Sequence, residues 1–109
     1  MANSASAQFE TLRTLAFGSI GAAYVAVGTA LTKSSQIIIV NNATDENMLF
    51  SFDGTNDHFI VVSGSGLVLD LATNREETLN SFYLAKGTIL YVKQVSAPSS
   101  GTVYFSSIY

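Results

Sequence analysis

His58 is the chain's only histidine; it follows Asp57 directly and lies close to Asp53. An imidazole beside carboxylates has the chemistry of a general base or a metal ligand. A zinc site needs several such ligands, and a lone histidine in a chain without cysteine does not supply them. The spacing therefore predicts a loop histidine that is solvated or hydrogen-bonded locally. Asp53-Gly54-Thr55-Asn56-Asp57 places oxygen-bearing side chains around a glycine, as calcium loops do. It lacks the spacing of such loops and their closing bidentate glutamate, so an Asx-rich turn is expected.

Other groups fail on geometry. Asp45/Glu46 and Glu76/Glu77 are adjacent pairs, and neighbours in sequence point in different directions, so neither pair converges on a substrate. Ser63-Gly64-Ser65-Gly66 reads as a β-turn; it has neither the glycine-flanked pattern of a serine elbow nor the lysine of a phosphate loop. Asn42-Ala43-Thr44 matches the glycosylation acceptor pattern, but Met1–Glu10 has no basic region followed by an apolar run, so a chance match is expected. No nucleophile, base and orienting group can be assembled. The expectation is a protein that is not an enzyme, with no cofactor and no metal.

The elements that would carry these residues read as β-strands. Apolar runs are short and separated by turn chemistry at Asn41–Asn47, Asp53–Asp57, Gly64–Gly66, Lys86–Gly87 and Ala97–Gly101. Expected strands cover Thr11–Phe17, Gln36–Asn41, Met48–Asp53, His58–Ser63, Leu67–Leu71, Ser81–Ala85, Thr88–Gln94 and Thr102–Ile108. The run Ile37-Ile38-Ile39-Val40 predicts a strand buried on both faces. Met48, Phe50 and Phe52 share one face of their strand, and Leu67, Leu69 and Leu71 share one face of theirs. Gly18–Leu31 mixes alanine with glycine and β-branched residues and is read as irregular or strand. Ala72–Asn80 carries Arg75, Glu76 and Glu77 and is expected as an exposed loop or one helical turn. The whole is an all-β chain: an antiparallel, jelly-roll-like β-sandwich of eight or nine short strands over 9–109, preceded by a flexible N-terminal arm over 1–8.

The 109 residues include 48% hydrophobic and only 12% charged residues, with a net charge of −3. Soluble domains usually carry about 25% charge. The shortage suggests either a surface covered by other subunits or one made of serine, threonine and asparagine. Arg13, Lys33, Arg75, Lys86 and Lys93 are scattered, so no basic stripe is available for nucleic acid. The longest apolar runs, Gly21–Val27 and Ile37–Val40, are far short of the roughly 18 residues that span a bilayer. A soluble chain that binds neither nucleic acid nor membrane is expected. Most aromatic residues fall in strand patterns and suit a core. Tyr83, Tyr91, Tyr104 and Tyr109 are the expected surface or interface members, because a phenol seeks a polar partner.

Several stretches together resemble small structural proteins of tailed bacteriophages. They are Gln8–Phe17, Ile39–Asp45 leading to Ser51–Gly54, Asp70–Asn74, Lys86–Lys93 and Ala97–Tyr104, which span nearly the whole chain. The resemblance implies a virion component made in the bacterial cytoplasm and built into a particle in many symmetric copies. Capsid cement or decoration proteins, and neck, collar or tail-ring components, are of this kind. It implies contacts with the major capsid protein or other virion proteins and a homo-oligomeric arrangement, and it supplies no catalytic residues. The arm from Ala2 to Thr11 is then expected to reach a neighbouring subunit, with Phe9 as its apolar anchor and Leu12 beside it. A reading from another class is a carbohydrate- or receptor-binding module using exposed tyrosines as a platform.

Overall fold

Thr102–Ile108 alternates side chains with a period of two, Val103, Phe105 and Ser107 facing one way and Thr102, Tyr104, Ser106 and Ile108 the other. Such a strand needs a layer to cover its apolar side, and the chain supplies one. The computed structural model describes residues 8–71 and 84–109. They form eight strands: β1 (Arg13–Ala16), β2 (Val25–Ala26), β3 (Ile37–Asn42), β4 (Met48–Ser51), β5 (Phe59–Val61), β6 (Ser65–Asp70), β7 (Tyr91–Gln94) and β8 (Thr102–Ile108). A 3₁₀ turn, Phe17–Ser19, follows β1.

The strands make two four-stranded sheets, β1-β8-β3-β6 and β2-β7-β4-β5, with every pairing antiparallel. The pairs β4–β5, β3–β6, β2–β7 and β1–β8 are nested, and successive pairs alternate between the sheets. The chain is thus one long hairpin folded over on itself, which is the jelly-roll arrangement. The antiparallel sandwich agrees with the sequence reading.

Between the sheets lies one apolar cluster. Ile38 and Val40 of β3 and Val103 and Phe105 of β8 meet Met48 and Phe50 of β4, Val92 of β7, and Leu90, Leu31 and Val27 from the flanking segments. Phe50 stacks on Phe59 at 5.2 Å between ring centroids. Burying each of these large side chains contributes roughly 1.5–3 kcal/mol. The cluster draws on five strands and both sheets, so it closes the sandwich as a unit.

Several expectations are corrected. The β3 run is not buried on both faces: Ile38 and Val40 point inward, while Ile37 and Ile39 are half-exposed on the outer face of the first sheet. Four β-branched residues in a row specify a strand but not its cover. Of Gly18–Leu31 only Val25–Ala26 is strand; beyond it Val27 donates to Leu90 O at 2.7 Å and Leu31 to Thr88 O at 2.9 Å, so the segment follows 87–92 without regular pairing. For the same reason β7 begins at Tyr91 rather than Thr88. Leu84 bridges Ser35, whereas the rest of the expected Ser81–Ala85 strand and the Ala72–Asn80 loop lie outside the described residues.

Two glycines stand where no other residue fits. Gly101, at φ +100°, precedes β8 so closely against Ala43 that a Cβ would come within 2.1 Å of its carbonyl oxygen. Gly28, at φ +73°, leaves room for the Arg13 side chain, whose Cβ and Cγ would be 2.9 Å from an added Cβ.

Candidate functional site

Among the described residues three polar clusters carry the groups capable of chemistry, and each closes on its own chain. The Asp53 turn begins at Ser51, whose hydroxyl donates to Asp53 Oδ1 at 2.8 Å and accepts from the amides of Asp53 and Gly54. Asp53 Oδ1 also accepts from the Thr55 and Asn56 amides at 2.8 and 2.9 Å. Hydrogen bonds from the Asn56 amide, the Thr55 amide, the Asn56 side chain and Ser51 hold its carboxyl far below the usual range. The loop is an Asx turn whose oxygens are already used by N–H and O–H donors. His58 Nδ1 accepts from the Phe52 amide at 3.0 Å, and its Nε2 stands 3.6 Å from Asp53 Oδ2. Among the described residues no group of three His, Cys, Asp or Glu could hold a metal ion.

On the outer face of the second sheet Asp57 accepts from the Tyr24 phenol and pairs with Lys93 Nζ at 3.2 Å. Lys93 also lies 4.8 Å from the Tyr24 ring centroid. Burial and the Asp57 hydrogen bond push the Tyr24 phenol well above its ordinary value, while Tyr24 and Lys93 draw the Asp57 carboxyl down. A phenol that holds its proton so firmly is no base. The trio ties β2, β7 and the β4–β5 loop together.

The third cluster is buried. Asn42, 1% exposed, donates its amide to Glu46 O at 2.9 Å and Val61 O at 2.8 Å, and its Oδ1 accepts from Thr44 N–H and O–H. All four hydrogen-bonding positions of the carboxamide are filled. The Asn42-Ala43-Thr44 pattern is therefore a structural corner whose amide is sealed from any modifying enzyme. Asp45 continues the corner by accepting from the Ser99 hydroxyl and amide, which lower its carboxyl.

The residues expected at interfaces are scattered. Phe9 is bridged to Ile108 and 67% exposed; Leu12 is exposed just before β1. Tyr109 pairs with Gln8 through both backbone bonds, and its phenol donates to Gln8 Oε1 at 3.0 Å. Gln8, Phe9 and Glu10 are thus bonded to their own β8 end, so the reach expected of Ala2–Thr11 does not include them here; residues 1–7 lie outside the described residues. Tyr91 lies on the other sheet with its ring against Gly54, where a Cβ would be 3.3 Å from it. Tyr104 faces outward from β8 beside Asn41. Tyr83 lies outside the described residues. Phe9 and Tyr109 are brought to one end of the first sheet; Tyr91 and Tyr104 join neither them nor each other.

What the sequence reading missed is the pattern on the two outer faces. On the first sheet Ile37 lies between Ile108 and Asp70, and Ile39 between Ser106 and Val68, with Phe9 extending the first row; Val68 is 65% exposed. On the second, Leu49 lies between Lys93 and Ile60, and Ile60 (52%), Val62 and Val95 are exposed. Strand alternation around Ile60 and Val62 carried the signal, since both faces of His58–Ser63 are apolar.

Comparison of the chain with protein-family models, curated proteins and solved structures finds no match. Among the described residues no helix is long and apolar enough to cross a membrane.

Proposed function

We propose that this chain is a non-enzymatic structural protein of a phage particle, a cement or decoration protein that stabilises the shell by bridging its subunits. The observation that carries the reading is the apolar surface on both outer sheet faces, centred on Ile37, Ile39 and Val68 on one side and Leu49, Ile60 and Val62 on the other. A domain surrounded by water keeps contiguous apolar patches small, and larger ones mark contact surfaces. A specific contact buries roughly 1,200–2,000 Å² in total, and repetition over many copies adds avidity. Jelly rolls recur in capsid proteins, and the polar clusters that could have suggested catalysis are closed upon themselves. The partners in this reading are the major capsid protein, other virion proteins and further copies of the chain. A neck, collar or tail-ring component uses the same surfaces in fewer copies.

Quantitative mass spectrometry of purified virions from the source phage tests this. Copy number close to that of the major capsid protein is expected for cement. A small fraction of it moves the chain to the neck or tail, and absence from the particle overturns the reading.

A further inference from the structure

One row across the outer face of the first sheet differs from its apolar neighbours. Asn41 of β3 lies directly between Tyr104 of β8 and Gly66 of β6. Gly66 has no side chain, so the row drops from an aromatic ring to bare backbone. The Asn41 carboxamide lies over that gap, its Oδ1 placed 2.2 Å from where a Gly66 Cβ would be. The result is a groove of about 320 Å³ that continues past Ser65, Gly64 and Ala43. Small-molecule sites begin at about this size, which suits one or two sugar rings.

The groove's polar groups are available. Elsewhere in the fold Asn42, Thr44, Ser35, Ser51 and Asp53 are all bonded within the chain. The Asn41 carboxamide, the Ser65 hydroxyl and the Tyr104 phenol, which line one concavity, have no intrachain hydrogen bond among the described residues. A carboxamide offers an acceptor and two donors, and each hydroxyl offers one donor and further acceptor capacity. The half-buried Tyr104 ring adds an apolar wall beside them. Among the described residues no Lys, Arg, Asp, Glu or His lines the groove, so none of them favours a phosphate, a carboxylate or a cation there. Neutral hydrogen-bonding groups next to an aromatic surface match a ligand with hydroxyls on its edges and C–H groups on its faces.

From this geometry we infer that the Tyr104–Asn41–Gly66 groove binds a neutral glycan. The Tyr104 ring packs against a pyranose face while Asn41 and Ser65 bond its hydroxyls. Two residues along β8, at about 3.3 Å each, separate Tyr104 from Ser106, so the groove sits roughly 7 Å from the Ile39–Val68 row and roughly 13 Å from the row that ends at Phe9. It does not depend on the assembly reading, and the copy-number measurement is unaffected by its outcome.

The test is a glycan array carrying neutral, sialylated and sulfated oligosaccharides. It is followed by amide-shift titration of isotope-labelled full chain with free chitotriose, maltotriose and lactose. Retention of neutral glycans and saturable shifts at Asn41, Ser65, Gly66 and Tyr104 are expected. Asn41→Ala and Ser65→Ala, at solvent-facing positions, weaken binding roughly tenfold each, the loss of about one net hydrogen bond. Tyr104→Ala, checked for an unchanged amide spectrum away from the groove, abolishes it. An array that retains no neutral glycan, a preference for anionic ones, shifts that map elsewhere, or binding that survives Asn41→Ala and Ser65→Ala overturns the inference.

Discussion

Arg13 donates through Nη2 to Glu10 Oε1 at 2.9 Å, and both side chains are more than nine-tenths buried. The pair is completed on all sides. Arg13 Nε donates to Thr29 O at 2.7 Å and Nη2 to Ala30 O at 3.0 Å, while Glu10 accepts from the Thr32 amide and hydroxyl and the Lys33 amide. Its guanidinium also lies 5.9 Å from the Phe105 ring centroid. The ion pair fastens the start of β1 to the irregular 28–33 crossing, where no sheet hydrogen bonds do so. Removing one partner of a buried pair costs about 3–5 kcal/mol, because the other charge stays buried. Glu10→Ala is expected to lower unfolding free energy by that amount in urea titration. Glu10→Gln, which keeps an acceptor for Thr32 and Arg13, should lose less.

Acid should unfold the protein through the same carboxylates. Burial alone would raise the Glu10 carboxyl, but the hydrogen bonds from Arg13 and Thr32 outweigh it and hold it below its ordinary value. Amide and hydroxyl donors depress Asp53 and Asp45. A group depressed on folding binds its proton more tightly when unfolded, so its stabilisation is fully present above the unfolded value and lost as pH falls through the folded one. Unfolded carboxyls titrate near about pH 4. The melting temperature is expected to be flat from neutrality down to that region and to fall steadily below it. Asp53→Asn should make the decline shallower, as measured by circular dichroism melts across the acid range.

Gly101→Ala tests the close approach between the 43–44 corner and the start of β8. The added Cβ would meet Ala43 O at 2.1 Å and Thr44 Cα at 2.5 Å, both backbone atoms that cannot swing aside, at a φ of +100°. Backbone strain of this kind costs about 1–3 kcal/mol before the clash is counted. A loss of at least that size is expected by chemical denaturation. An equivalent substitution at Gly18, where nothing lies within 4 Å, should change little.

How much of this could be read from sequence depends on which force decides each feature. β8 was legible to the residue because Thr102–Ile108 alternates cleanly and its turn residues bound it on the N-terminal side. β2 was not: Tyr24-Val25-Ala26-Val27 has strand residues, but its pairing is set by the distant 87–92 segment and by where the chain must cross between sheets. The double-sided burial expected of β3 failed because composition reports that a strand wants cover without saying whether its own chain provides it. The local bonding of His58 and the Asp53 turn follow from short-range chemistry and could be anticipated. The Tyr104–Asn41–Gly66 row could not, since it joins three strands by register alone. Glu10 and Arg13 left one usable hint, an isolated pair of opposite charges in an otherwise uncharged segment.

The apolar outer faces make the sharpest demand on the assembly reading. Val68 is 65% exposed, so Val68→Lys removes no core contact and should change unfolding free energy by no more than about 0.5 kcal/mol. On the assembled face, however, a lysine ammonium would be forced against the Ile39 row of the contact and would have to be desolvated there without a counter-charge. The expected result is an unchanged urea midpoint together with loss of oligomer mass in light scattering, or of occupancy on particles. Ile60→Lys probes the second sheet in the same way, through the Leu49 row. If only one variant dissociates, the copies meet through that sheet and the other face is turned to the shell. If neither alters mass or occupancy, the apolar rows are not the adhesive surface and the structural proposal loses its carrying observation.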